Sequence, residues 1–348
     1  MITNPTPQRS LRGHQPQRPS QRTAVTSGYV AQLATRMTER DRWLARVLYE
    51  HRVLTTHQIV EMAWPSVRAA NMRLLRLYRW RLIDRFQPFV TYGTAPMHYV
   101  LDLAGASLLA REDGLDLRDL DYRHDRAIGV AYSLHLAHTV GTNGFFSALV
   151  AHSRRPDTSG RLTTWWSETR CARHFGDIVR PDAYGLWHEH SPVPTAFEWF
   201  LEFDFGSERP DRVGRKLAGY AKLAATTGII TPVLIWVPTA RREARVRQAL
   251  AAALADLDDP SLVPVATSSA DFLSGHDNDP TAARWQPLDV RQPLTRRLRL
   301  TELTHAWPHL PPLNSSSSDP AQASGDVTSG PLPPSPVPPG PSDRRPQR

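Results

Sequence analysis

The stretch that decides the fold of the second half of the chain is Val179–Ala183 (VRPDA), followed after a turn-rich gap by Phe200–Asp204 (FLEFD). The second segment has the apolar content of a buried strand, yet it carries two carboxylates. Because side chains alternate along a strand, Glu202 and Asp204 share one face, and the residues on the other face form core. The pattern predicts an acidic cluster where a strand normally carries apolar side chains.

A hairpin adds a further carboxylate to this cluster. If its turn centres near Ser191-Pro192, Asp182 lies directly across from Glu202. Unpaired carboxylates raise one another's pKa, and Mg²⁺ or Mn²⁺ relieves that repulsion through its preference for oxygen ligands. Such a site can polarise a phosphoryl oxygen and generate a hydroxide nucleophile. Asp182 and Glu202 are therefore the predicted metal ligands; the alternative is ordinary ion pairing with Arg180 or Arg215.

The elements around the cluster predict an α/β domain with a mixed sheet, so that the whole chain is α+β. The domain is expected over residues 128–300, and its elements alternate in the order αβββαβαβ. The predicted helices are 128–153, 210–226 and 241–257, and the predicted strands are 162–168, 177–184, 195–205, 232–237 and 263–266.

Upstream, residues 37–112 show a helix-turn-helix pattern followed by a hairpin. Helices begin near Thr38, Thr55 and Ser66, and the last two are separated by the break at Trp64-Pro65. Strand-like segments at 82–86 and 97–101 follow, and then another helix. Helices followed by a hairpin predict a winged helix-turn-helix domain.

The helix that begins after Ser66 has a basic face. At about 100° per residue, Arg68, Met72, Arg76 and Arg79 fall within an arc of about 80°. The predicted DNA-binding residues are Arg68, Arg73, Arg76 and Arg79, which could meet phosphates or guanine edges. The alternatives are a solvated basic face and a winged helix that contacts protein.

Composition agrees with an anionic partner and predicts the remaining parts of the chain. The 348 residues carry a formal charge of +8, mostly from arginine, which favours bidentate phosphate contacts. The single cysteine, Cys171, fits a reducing cytoplasm, and no apolar run is long enough to span a membrane. Residues 1–36 are expected to be a disordered basic tail, 113–127 a linker, and 308–348 a disordered tail rich in proline and serine.

These segments resemble the replication-relaxation family of plasmid-borne bacterial proteins, which are implicated in plasmid replication and plasmid DNA relaxation. The resemblance covers roughly residues 38–255. It rests on the winged-helix segment, Arg180–Ala183, Glu202–Asp204, and Lys216 with Tyr220 on the following helix.

The second domain is also similar in element order to the restriction-endonuclease-like fold, whose pattern is Asp and then Glu-x-Lys. That resemblance implies Asp182 and Glu202 as metal ligands in a catalytic set with Asp204 and Lys216. Asp204 occupies the position of the lysine in the restriction-endonuclease-like pattern. Lys216 could supply the missing cation from the helix. The alternative is a lysine that only extends its ammonium group to solvent.

Two functions follow from the sequence. The first is a cytoplasmic protein that binds double-stranded plasmid DNA and nicks it with Mg²⁺ or Mn²⁺. The second is a non-catalytic DNA-binding regulator or replication initiator that keeps a degenerate nuclease fold. Either could act as a homodimer or with replication or transfer proteins, and neither involves a membrane.

Overall fold

The structure is a computed structural model that describes residues 23–90, 93–190, 193–272, 279–288, 296–311, 313 and 331–340. The described residues divide into two compact units. One lies within Gly144–Ser324, and the other lies within Thr6–Asn143 together with Gly325–Arg348.

The unit that contains the N-terminal half is mainly helical and has a small antiparallel sheet. Its strands pair in the order β1-β3-β2. The helices are α1 (Ser27–Arg36), α2 (Glu39–His51), α3 (Thr56–Ala63), α4 (Val67–Arg79), α5 (Leu103–Glu112) and α6 (His124–Gly129), and the strands are β1 (Leu54–Thr55), β2 (Ile83–Phe86) and β3 (His98–Leu101).

Side-chain caps explain where three of these helices begin. Thr38 and Thr55 each form a capping box with the third residue of the helix that follows, and Ser66 Oγ accepts a hydrogen bond from Ala69 N–H. The three starts agree with the sequence prediction. Thr55 also pairs with His98, which adds the short strand β1 that the sequence analysis does not predict.

Two segments predicted to lack structure are ordered. α1 occupies the last part of the predicted 1–36 tail, because Val30 and Leu33 are buried and Tyr29 Oη donates to Trp80 O at 2.9 Å. Residues 1–22 lie outside the described part. The predicted linker 113–127 also contains structure at its end: Tyr122 Oη donates to Leu101 O at 3.0 Å, and α6 begins at His124.

The proline-rich tail departs from its prediction as well. Within the predicted 308–348 tail, residues 331–340 are described and belong to the N-terminal unit. Trp43 is buried there, and its indole Nε1 donates to Ser335 O at 2.8 Å. The remainder of the tail after residue 313 lies outside the described residues.

The other unit is built on a six-stranded mixed sheet, which confirms the predicted α/β class. The strands follow one another across the sheet from β4 to β9; β6, β7 and β8 are parallel, and the other neighbours are antiparallel. The strands are β4 (Gly160–Ser167), β5 (Ala183–Glu189), β6 (Thr195–Phe203), β7 (Val233–Val237), β8 (Val265–Ser269) and β9 (Gln286–Pro287), and the helices are α8 (Glu168–Phe175), α9 (Pro210–Thr227), α10 (Ala240–Ala255) and α11 (Leu303–Ala306). A further helix, α7 (Leu136–His152), belongs to this unit from Gly144 onward.

Two elements of this unit differ from prediction. The strand predicted at 177–184 begins only at Ala183 and continues to Glu189, because the chain turns after α8: Ile178 N–H and Val179 N–H both donate to Phe175 O. The helix predicted at 128–153 is interrupted: a 3-10 turn at Val130–Tyr132 precedes α7.

Alternation along β6 gives the sheet two apolar faces. Phe200 belongs to the cluster that includes Val213 and Leu217 of α9 and residues of α10. On the other face, α7 supplies Phe146, whose ring stacks on Trp165 at 5.1 Å and on Trp199 at 6.2 Å. The carboxylate of Glu202 therefore points to the face that α9 covers. None of the described helices is both long enough and apolar enough to cross a membrane.

Candidate functional site

The β5–β6 hairpin brings Asp182 opposite Glu202. Ala183 pairs with Leu201, so the next pair outward is Asp182 with Glu202. Asp182 N–H donates to Leu201 O at 3.1 Å, and Phe203 N–H donates to Asp182 Oδ2 at 2.7 Å. The predicted register is observed; the predicted turn centre at Ser191-Pro192 lies outside the described residues.

Glu202 is buried, with 3% of its surface exposed, and both of its carboxylate oxygens are occupied by side chains of α9. Lys216 Nζ donates to Oε2 at 2.5 Å, and Tyr220 Oη donates to Oε1 at 2.5 Å. Lys216 and Tyr220 are one turn apart, so they reach the same carboxylate from one helix face. We call Asp182, Glu202, Lys216 and Tyr220 the acidic centre.

Glu202 therefore forms an ion pair, as the alternative to metal binding predicts, but its cation is a lysine. Glu202 pairs with Lys216 and not with either arginine that the sequence analysis offers. Arg180 Nε instead donates to Gly176 O at 3.3 Å. Lys216 thus reaches the carboxylate, as the substitute-cation hypothesis requires, while 36% of its side chain stays exposed.

Burial and like charge set the electrostatics of the acidic centre. Burial of Glu202, together with the neighbouring Asp182 carboxylate, raises the pKa of Glu202 to about 7. Burial alone would lower the pKa of Lys216, but the carboxylates of Glu202 and Asp182 outweigh it and raise that pKa above its ordinary value. Burial and the Glu202 carboxylate also raise the pKa of Tyr220, so its hydroxyl remains a donor.

The side chain of Asp204, a predicted catalytic residue, accepts hydrogen bonds from the loop after β6 and from Arg242. Arg242 Nε donates to its Oδ2 at 2.6 Å, and Gly206 N–H donates to its Oδ1 at 2.8 Å. Gly206 has a φ of 78°, a conformation that favours glycine. Both oxygens of this buried carboxylate are thus bonded to the turn after β6 and to Arg242, and the catalytic role of Asp204 stays a prediction.

The acidic centre offers two carboxylates to a metal ion. Mg²⁺ is commonly held by one or two carboxylates with water in the remaining positions, so Asp182 and Glu202 suit it in ligand type and number. Lys216 and Tyr220 occupy the oxygens of Glu202, and a cation there would have to displace Lys216 from Oε2.

A different charged cluster, which the sequence analysis missed, lies in the N-terminal unit. Among the described residues, Asp84, Asp102 and His124 form the one group of three or more possible metal ligands whose donor atoms converge. His124 Nδ1 lies 3.2 Å from Asp102 Oδ1, and Nε2 lies 3.4 Å from Asp84 Oδ2. Hydrogen bonding to Asp102 and Asp84 raises the pKa of His124 to about 9.

This geometry describes a protonated imidazole held between two fully buried carboxylates. The ring ties α6 to β2 and to the residue that caps α5. No sequence signal indicates it, because the three residues are far apart along the chain and His124 falls in the predicted linker.

α4 carries the predicted basic face on its exposed side. Ala70, Leu74, Leu77 and Tyr78 are buried, and the helix has no acidic residue. On the opposite side, the guanidinium groups of Arg68, Arg76 and Arg79 are exposed and make no hydrogen bond or ion pair with any described residue. We call Arg68, Met72, Arg76 and Arg79 the arginine face.

Arg73, the fourth predicted DNA-binding residue, differs from the other three. It donates through Nε to Asp41 Oδ1 at 2.8 Å, pairs through its second nitrogen with Oδ2 of the same carboxylate, and stacks on Trp80. Asp41 is buried and belongs to the capping box of α2. Arg73 therefore links α2 to α4, and its side chain is not part of the arginine face.

Comparison with known proteins places these features in a family. Curated proteins and solved structures give no match to the chain. A family model described as replication-relaxation matches residues 46–234, which is more than half of the 348 residues and includes both the arginine face and the acidic centre. The chain belongs to the replication-relaxation family.

Proposed function

We propose that this protein acts in plasmid replication or relaxation by binding duplex DNA through a winged helix, in which α4 is the recognition helix. The carrying observation is the arginine face: Arg68, Arg76 and Arg79 are exposed and without partners among the described residues. Family membership supports a role in plasmid replication or relaxation. The protein is expected to work in the cytoplasm.

The surrounding elements support this use of α4. In a winged helix, one helix crosses the DNA backbone, the next lies in the major groove, and a hairpin contacts the DNA beside it. Here α3, α4 and the β2–β3 hairpin follow one another in that order. Arg68 and Arg79 are eleven positions apart, or about 16 Å along the helix axis, which exceeds the major-groove width of about 12 Å. Arginines near the two ends can therefore reach phosphates on both sides of the groove.

Salt-dependent binding tests the proposal. Binding of a random-sequence duplex is measured over a range of NaCl concentrations for the wild type and for the double variant Arg76→Ala, Arg79→Ala. Each lost phosphate contact lowers the slope of log K against log salt by about 0.9. Arg245→Ala, which removes an exposed arginine from α10, is the matched control and should keep the wild-type slope. An unchanged slope in the double variant would overturn the assignment of α4.

A second candidate function is metal-dependent nicking of DNA, and the β5–β6 register favours it. That register holds Asp182 against Glu202, the pair that would bind Mg²⁺ or Mn²⁺. When bound, such a cation supplies Lewis acidity toward a phosphoryl oxygen and lowers the pKa of a coordinated water. Lys216, half-exposed at the edge of the centre, would then be released from Glu202 to neutralise a phosphate.

Supercoiled plasmid separates the two candidates. The wild type, Asp182→Asn and Glu202→Gln are each incubated with plasmid and Mg²⁺ or Mn²⁺, and duplex binding is measured in parallel. Metal-dependent relaxation that both variants lose, with binding retained, supports nicking. Asp177→Asn, which alters an exposed carboxylate before β5, should relax plasmid like the wild type. If supercoils stay intact while binding persists, the DNA-binding regulator or replication initiator is the better description.

A further inference from the structure

Met72 is an apolar side chain at the centre of the arginine face. Its exposed fraction is 65%, although the other side of α4 buries four side chains. Arg68 and Arg76 lie one turn before and one turn after it, each about 40° away around the helix, and Arg79 lies about 20° away. An exposed methionine surrounded by three cations is not explained by packing within the unit.

Charge complementarity identifies what this surface accepts. The arginine face has no acidic residue and no internal partner for its guanidinium groups among the described residues, so its occupant is anionic. In duplex DNA the charge lies on the two backbones, and base edges fill the groove between them. Among those edges, the C5 methyl group of thymine is the apolar feature of the major groove.

We propose that Met72 is a specificity-determining residue that contacts the C5 methyl of a thymine in the major groove. The inference rests on the proposed DNA binding by α4. Methionine suits this contact, because its unbranched, polarizable side chain adapts to an irregular apolar surface. The arginines around it contact phosphates or guanine edges, and Met72 adds preference for thymine at one position of the site.

Val67 provides a matched control on the same helix. It is 52% exposed, close to the exposure of Met72, but it lies about 140° away around the helix axis. Val67→Ala therefore removes a comparable apolar group without altering the arginine face. Both substitutions to alanine are at exposed helical positions, where alanine favours the helix.

The test pairs the side chain with the methyl group that it is proposed to contact. Duplexes that bind the wild type are selected from a random library, and each thymine of the selected site is then replaced by uracil, which lacks only the methyl. We expect wild-type affinity to fall about fivefold at one position, the lower end of the range for a mismatched base pair. Met72→Ala should bind the thymine and uracil duplexes equally at that position, and Val67→Ala should show the wild-type difference.

The outcomes separate this inference from the proposed function. If the wild type binds no duplex, both fail. If it binds with the expected salt dependence, but Met72→Ala keeps the full sensitivity to uracil or no thymine position responds, DNA binding stands and the role of Met72 is overturned.

Discussion

The acidic centre and the arginine face differ in how their charged side chains are buried and paired. In the acidic centre, the carboxylate of Glu202 is buried and each of its oxygens has a donor. On the arginine face, Arg68 and Arg76 are exposed and have no partner among the described residues. A buried charge must be paired because its desolvation is costly, whereas an exposed charge stays solvated and is available to an external ligand. Substitutions in the first region should therefore change stability, and substitutions in the second should change binding.

Glu202→Ala should have the largest effect, a loss of about 3 kcal/mol in the free energy of unfolding, because it leaves the Tyr220 hydroxyl buried without an acceptor and Lys216 without its anion. Urea unfolding at pH 7, followed by circular dichroism, measures it. Glu208→Ala, which removes a more exposed carboxylate paired with Arg212, should cost less than about 0.5 kcal/mol. If Glu202→Ala is equally mild, the acidic centre does not stabilise the fold, and Glu202 is better explained by a ligand.

Sequence reasoning predicts the parts of the acidic centre that depend on local periodicity. Alternation along β6 and the symmetry of a hairpin place Asp182 opposite Glu202. The order of α2, α3, α4, β2 and β3 is visible for the same reason, since the helix caps and strand patterns are local. Lys216 and Tyr220 are identified only by the family resemblance, and the structure shows that both reach Glu202.

What sequence reasoning misses depends on partners that are distant in the chain. Asp204 is neutralised by Arg242, thirty-eight positions later, and Arg73 by Asp41, thirty-two positions earlier. No periodicity links such residues, so the sequence does not show that Asp204 and Arg73 each have a partner within the fold. His124 is missed for the same reason. It lies in the segment predicted to be a linker, yet its ring contacts two buried carboxylates that are distant in the chain.

His124 extends the comparison to a second buried cluster and should give the next largest effect. The folded-state pKa of about 9 lies above the ordinary value of 6.5, so the imidazolium contributes stability that is fully present below about pH 6.5 and is lost as pH rises through about 9. We expect about 2 kcal/mol, allowing for the partial exposure of the ring.

The measurement is urea unfolding between pH 6 and pH 10. His124→Gln should flatten the pH dependence of stability across this window, whereas His57→Gln, a substitution at another described histidine outside the cluster, should leave the wild-type profile. A wild-type stability that stays constant between pH 6.5 and 9.5 would show that the two carboxylates do not hold the protonated ring.

Arg73→Ala tests the difference between paired and unpartnered charges within one helix, α4. Its guanidinium pairs with the buried carboxylate of Asp41, so we expect a loss of about 1.5 kcal/mol in unfolding free energy. The slope of DNA binding against salt should not change, because Arg73 contributes no phosphate contact in the arrangement that the structure shows. A lower slope in Arg73→Ala would mean that the pair with Asp41 opens when DNA binds.

Arg76→Ala should give the reverse result and the smallest effect on stability. An exposed arginine without an internal partner contributes little to folding, so the unfolding free energy should remain within about 0.5 kcal/mol of the wild type. Its salt slope should nevertheless fall by about 0.9 if it contacts one phosphate. Arg73→Ala would then lower the unfolding free energy without changing the salt slope, and Arg76→Ala would lower the salt slope without changing the unfolding free energy. If Arg76→Ala instead destabilises the protein as much as Arg73→Ala, exposure on this helix is a poor guide to function, and the arginine face loses its main support as a DNA-binding surface.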